Sequence, residues 1–228
     1  MKTQRDTVPN QVFIGCPWRI ILPKYEAVLP ELRKKYPISF VIVGRGDRQD
    51  AKDLLDYIKQ SLLASSYAVF DATGGNANVS LEYGFAEGRA IDLALYACTH
   101  AATKNAAGKE AIISDLAGKS RNHYKQKEEL ERLLSHLCVD HSYTKRFERF
   151  LRNEFRRASK GEKKSARALA LKIIHALDKR PERRRDDLVQ EILAAGYSGV
   201  EINKMLTSLH RAKLINCSVG KYSVVTIT

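Results

Sequence analysis

The 228-residue chain has no apolar run near the roughly 18 residues of a membrane span, so no segment is expected to cross a membrane. Its first ten residues are polar and lack the apolar centre of a secretory signal. Cysteine is sparse. Cys16, Cys98, Cys138 and Cys217 stand far apart, without the spacing of a zinc site or a disulfide framework. We read them as reduced thiols in a cytoplasmic protein that holds no metal. Tryptophan occurs once, at Trp18. Acidic residues run short in one region only. Residues 1–144 hold 19 Lys and Arg against 17 Asp and Glu, whereas residues 145–228 hold 20 against 9. Of a net charge of +13, +11 therefore falls in the C-terminal third. Such an asymmetry marks either a module that meets a polyanion or a solvated basic face, and its concentration favours nucleic acid or another polyanion.

What is present first is an alternation of strands and helices. Residues 12–15 form a short apolar run stopped by Gly15 and Pro17, which predicts a strand. Residues 25–36 have helical spacing interrupted by Pro30, which either kinks the helix or opens its second half. A second strand is expected over 38–43 and an amphipathic helix over 50–65. A third strand over 67–71, a helix over 78–89, a fourth strand over 91–97 and a short fifth over 111–113 follow. This rhythm predicts an α/β domain over 1–143, a flavodoxin-like parallel sheet with helices on both faces.

The unusual residues gather where strands end, on the rim where open α/β sheets place their ligands. Gly15, Cys16, Pro17 and Trp18 follow the first strand, and Asp47 follows the second. Asp71, Thr73, Gly74 and Gly75 follow the third, ahead of Asn76 and Asn78, which can cap a helix start. Trp18 either stacks on a base or caps the core. Cys16 has no histidine nearby in sequence to activate it. Glu82 lies one turn beyond Asn78, on a helix that continues with Gly84, Ala86 and Gly88. Asp71 and Glu82 have a bland reading, a loop cap and a surface ion pair. The alternative is that Glu82 attacks an anomeric carbon or stabilises an oxocarbenium ion as a base departs. The small neighbours of Glu82 favour the second.

The pattern Asp71-x-Thr73, Asn76-x-Asn78-Val79-x-x-Glu82-x-Gly84-x-Ala86 resembles the block shared by nucleoside 2-deoxyribosyltransferase-like proteins and TIR-like domains. The opening Phe13-Ile14-Gly15-Cys16-Pro17-Trp18 is similar to the first-strand loop of the transferases. The likeness covers roughly residues 11–100. It implies N-glycosidic bond chemistry with Glu82 and Asp71 as catalytic residues. It also implies substrate contacts from Gly15, Cys16, Pro17, Trp18, Asp47, Thr73, Asn76 and Asn78. The substrate would be a nucleotide or NAD, with no separate cofactor. Asn76 stands where the transferases carry an acid, so hydrolysis is the expectation here rather than deoxyribosyl transfer.

A basic helix and linker are expected over 144–165, with an arginine-rich face opposite Phe147, Phe150 and Leu151 and a linker at 159–165. Residues 166–228 read as three helices and a β-hairpin, with Ser198 capping the third helix. That order resembles a winged helix, whose third helix enters the major groove. Arg156, Arg157, Asn203, Lys204, Ser208, Arg211 and Lys221 are the expected nucleic-acid contacts. An N-glycosidase-type domain followed by a winged helix is similar to effectors of bacterial retron anti-phage systems. That resemblance implies a DNA or structured RNA–DNA partner, a reverse transcriptase complex and an oligomer. A nucleotide-sensing transcriptional regulator is the reading of a different class.

Overall fold

The computed structural model describes residues 7–43, 51–100, 116, 118–178, 183–218 and 221–224. Five strands form one sheet: β1 (Val8–Gly15), β2 (Ser39–Val41), β3 (Ser65–Asp71), β4 (Leu93–Cys98) and β5 (Asn122–Tyr124). Their order is β2-β1-β3-β4-β5 and every pairing is parallel. This is the flavodoxin-like order expected, with its topological switch point between β1 and β3.

Val12, Phe13 and Ile14 are all buried because helices cover both faces of the sheet. Val12 and Ile14 point to α1 (Leu22–Lys35) and α4 (Lys127–Asp140), packing with Tyr25, Val28, Leu130 and Leu134. Phe13, one residue out of phase, points to α2 (Ala51–Ala64) and α3 (Ala77–Gly88), packing with Leu62, Val79 and Tyr83. Pro30 does not divide α1, which remains one 14-residue helix with Pro30 on its exposed side. The fifth strand is Asn122–Tyr124, and residues 111–113, where sequence suggested one, lie outside the described residues.

The C-terminal part contains α5 (Ser142–Glu154), α6 (Lys160–Asp178), β6 (Arg183–Arg184), α7 (Arg185–Leu193), α8 (Gly199–Arg211), β7 (Ile215–Ser218) and β8 (Lys221–Val224). The strands form an antiparallel sheet in the order β6-β8-β7. The linker expected at 159–165 is corrected: the chain is helical from Lys160. The Ser159 backbone N–H donates to Glu162 Oε2 at 2.7 Å, and the Glu162 N–H to Ser159 Oγ at 3.3 Å. That reciprocal cap starts α6 in spite of its lysines. The basic helix is likewise no spacer. Tyr143, Phe147 and Phe150 of α5 share one core with Leu169, Ile173, Leu188, Leu206 and Ile215.

Polar bonds join this part to the sheet. Asn10 Nδ2 donates to Pro37 O at 3.2 Å and to Asp178 Oδ1 at 2.9 Å. The His175 ring lies between Asp178 Oδ2 at 2.9 Å and Tyr36 O at 3.0 Å. Arg167 donates to Lys35 O at 2.8 Å.

Candidate active site

At the switch point the chain leaves β1 through residues 16–21 and leaves β3 through residues 72–76. With α2 and α3 these loops enclose a cleft of about 890 Å³. Pro17, Trp18, Leu54, Ile58, Leu62, Val79 and Phe85 give it an apolar lining. The charged groups among its described lining residues are one carboxylate, Glu82, and two cations, Arg19 and Lys59. Lys59 has a loose ion pair with Asp56 at 3.8 Å.

Glu82 is brought there by two features of the sequence. Asn76 caps α3, its Oδ1 accepting from the Asn78 N–H at 3.0 Å and the Val79 N–H at 3.2 Å. The cap fixes the first turns of α3 against the sheet, with Val79 and Tyr83 buried and Glu82 turned toward β1. Gly15 then lets the carboxyl approach. A methyl group on Gly15 would lie 2.6 Å from Glu82 Oε2 and 2.8 Å from the fully buried Phe70 ring. Among the described residues the Glu82 carboxyl has no hydrogen-bond or ion-pair partner, so the surface ion pair of the bland reading is absent there. Burial without compensation raises its pKa from 4.5 to about 7. A carboxylate so placed has the chemistry to attack an electrophilic carbon or to stabilise a cation.

Asp71, expected as a catalytic residue, is placed instead as a positioning residue. It is completely buried at the end of β3, beneath the cleft rather than in its lining. Tyr124 donates its hydroxyl to Oδ2 at 2.6 Å and Tyr25 does so at 3.2 Å. Oδ1 accepts from the Thr73 N–H at 3.1 Å and from the Thr73 hydroxyl. Burial raises the Asp71 carboxyl and these four donors oppose the rise. Thr73 Oγ1 in turn accepts from the Cys98 N–H at 2.7 Å. Asp71 thereby ties α1, β4, β5 and the turn of Thr73–Gly75 into one frame. Gly74 and Gly75 both have positive φ (72° and 63°), which this turn requires and glycine adopts freely.

The remaining expected contacts divide. Cys16, Pro17, Trp18, Thr73, Asn76 and Asn78 all line the cleft, and Gly15 sits at its floor against Glu82. Trp18 is half-buried in the cleft wall. Burial raises the Cys16 thiol strongly, and the nearby Asp71 and Glu82 charges raise it further. It therefore stays protonated and is no nucleophile. Asp47 lies outside the described residues. Arg19 and Lys59 were not expected; no spacing in the sequence ties them to Glu82, and the fold alone assembles them. Tyr124, which from the small and polar stretch 100–124 could join the site, does so through Asp71, whereas nothing in the sequence tied Tyr25, at the start of the helix expected over 25–36, to that carboxyl.

In the C-terminal part, Arg156, Arg157, Lys204 and Lys221 are exposed. Ser208 is corrected: it is 4% exposed and donates to Glu154 Oε1 at 2.7 Å, so it faces α5 and no groove. Arg211 donates to the same Glu154 oxygen at 3.1 Å, and Asn203 Oδ1 accepts from Arg185 at 2.7 Å.

No family model matches the chain, and no curated protein matches it. Among solved structures it is similar to a 2-desoxiribosyltransferase from Leishmania mexicana, at 14% identity and a TM-score of 0.44. The alignment covers 58% of this chain and 99% of that one.

Proposed function

We propose that the sheet domain hydrolyses the N-glycosidic bond of a nucleotide or of NAD, with Glu82 as its nucleophile. The observation that carries this is the Glu82 carboxyl, unpartnered among the described residues, at the floor of an apolar cleft and titrating at about 7. A glutamate held only to stabilise a fold would be paired or solvated. In the reaction, a Glu82 oxygen bonds to the anomeric carbon as the carbon–nitrogen bond breaks, its electron pair leaving with the base. Water then attacks the same carbon, gives one proton to solvent and releases the sugar, restoring the carboxylate. Glu82 is the one carboxylate among the described lining residues. That favours a base able to leave without being protonated, as nicotinamide does from NAD.

The C-terminal helices and sheet we read as a winged helix that tethers the domain to nucleic acid, on the strength of its +11 charge. The resemblance to retron effectors supports a role in anti-phage defence, beside a reverse transcriptase and its RNA–DNA product.

Incubation of wild type and Glu82→Gln with NAD and a panel of nucleotides, followed by chromatography, tests the proposal. Free base released by wild type alone is the expected result. Binding of a nucleotide by both proteins without release from either would favour a sensor and overturn the hydrolase.

A further inference from the structure

We infer that the nucleic-acid surface of this protein is the arginine row of α5 and the turn after it, and not the exposed face of α8. The inference rests on the tethering reading above and names the face that performs it. Arg149 and Arg152 lie three residues apart on one side of α5. Arg156 and Arg157 follow where the helix ends. All four are exposed, and none has a hydrogen-bond or ion-pair partner among the described residues.

The acids of α5 that would mask such a row are drawn away from it. Glu148 pairs with Arg167 at 2.6 Å, and Glu154 accepts from Ser208 and Arg211. The same bonds use up α8. Its Arg211 is held on Glu154, its Asn203 by Arg185, and its Ser208 is buried. Lys204 is left as the exposed cation of that helix without a partner among the described residues.

The chemistry of the row selects a phosphate backbone. Guanidinium groups bind phosphate oxygens in pairs and carry no intrinsic base preference when they lie along a backbone. The apolar side chains of α5 are turned inward: Tyr143, Phe147 and Phe150 belong to the core. A protein partner would call for exposed apolar anchors at the centre of its footprint, and no large apolar side chain of α5 is exposed. Charge complementarity is what this face offers, and a duplex answers it.

The test uses the full chain and fluorescein-labelled duplexes of one sequence, as DNA and as an RNA–DNA hybrid. Anisotropy is followed over a series of salt concentrations. Substituting Arg149, Arg152, Arg156 and Arg157 together by Gln is expected to weaken binding at least tenfold. It should also lower the salt slope by about three to four, near one for each phosphate left without its guanidinium. Lys204→Gln with Lys221→Gln should change affinity less than twofold. Unaltered unfolding midpoints and unaltered base release in both variants guard against a folding artefact. The α5 surface is overturned by wild-type affinity and slope in the fourfold variant, or by an equal loss in the lysine pair, and the tether itself would survive either result. A wild-type protein that binds neither duplex at low salt overturns the tether.

Discussion

A carboxyl that sheds most of its water on folding, as half-buried Glu82 does against Gly15, costs the folded state stability once it ionises. The folded protein holds the Glu82 proton up to about pH 7, the unfolded chain only to about 4.5. Stability therefore falls as pH rises across that interval and is flat above it. Glu82→Gln removes the titration, so the variant should be more stable than wild type at about pH 8, by up to about 3 kcal/mol. Urea unfolding at about pH 5 and pH 8 measures this; equal pH dependence in the two proteins would contradict it. Gly15 is the complementary residue. Its replacement by Ala puts a methyl group against a carboxylate oxygen and a core ring that has nowhere to go. Gly15→Ala should lower stability by about 1–3 kcal/mol, by overpacking, and remove base release. The unfolding midpoint and the release assay on one preparation report both effects.

At the level of elements, the turn after β3 is held by Asp71 through donors from α1 and β5. Removing the shorter bond with Tyr124→Phe leaves a buried carboxyl less satisfied and should cost about 2 kcal/mol, against less for Tyr25→Phe. Chemical denaturation of the two variants ranks them, and a larger loss in Tyr25→Phe would reverse the assignment. This frame was hidden in the sequence because its donors stand 46 and 53 residues from Asp71. The local signals were legible. Apolar runs ending in glycine or aspartate gave β1 and β3, and Asn76 ahead of Val79 gave the start of α3. The glutamate at the cleft followed from the same spacing. The start of α6 reads as a linker because five of the seven residues at 159–165 are charged or glycine, although Ser159-x-x-Glu162 is a capping pair. Burial of Asp71 and Ser208 needs partners distant in sequence, and composition does not reveal them.

Across the whole molecule, the two halves differ in charge yet share a bonded seam. Asp178 accepts from Asn10 on β1 and contacts the His175 ring that reaches Tyr36 O. Asp178→Ala should lower stability by about 1–3 kcal/mol, because Asn10 Nδ2 is left with Pro37 O alone and the His175 ring loses its carboxylate partner. Differential scanning calorimetry reads the shift, and a midpoint unchanged from wild type would show the seam to be weak. The charge that distinguishes the halves was plain in the sequence; which arginines stay free was not, since Glu148 and Glu154 are claimed by side chains far along the chain. The proposed role of Glu82 in N-glycosidic bond cleavage is open to test through the pH dependence of base release. If the ionised carboxylate is the nucleophile, kcat/KM for the wild type should rise about tenfold from pH 6 to a plateau above pH 8, following a group of pKa about 7. Glu82→Gln should release no base at any pH. Base release by Glu82→Gln at the wild-type rate, or a wild-type profile flat from pH 6 to pH 8, would rule Glu82 out as the nucleophile.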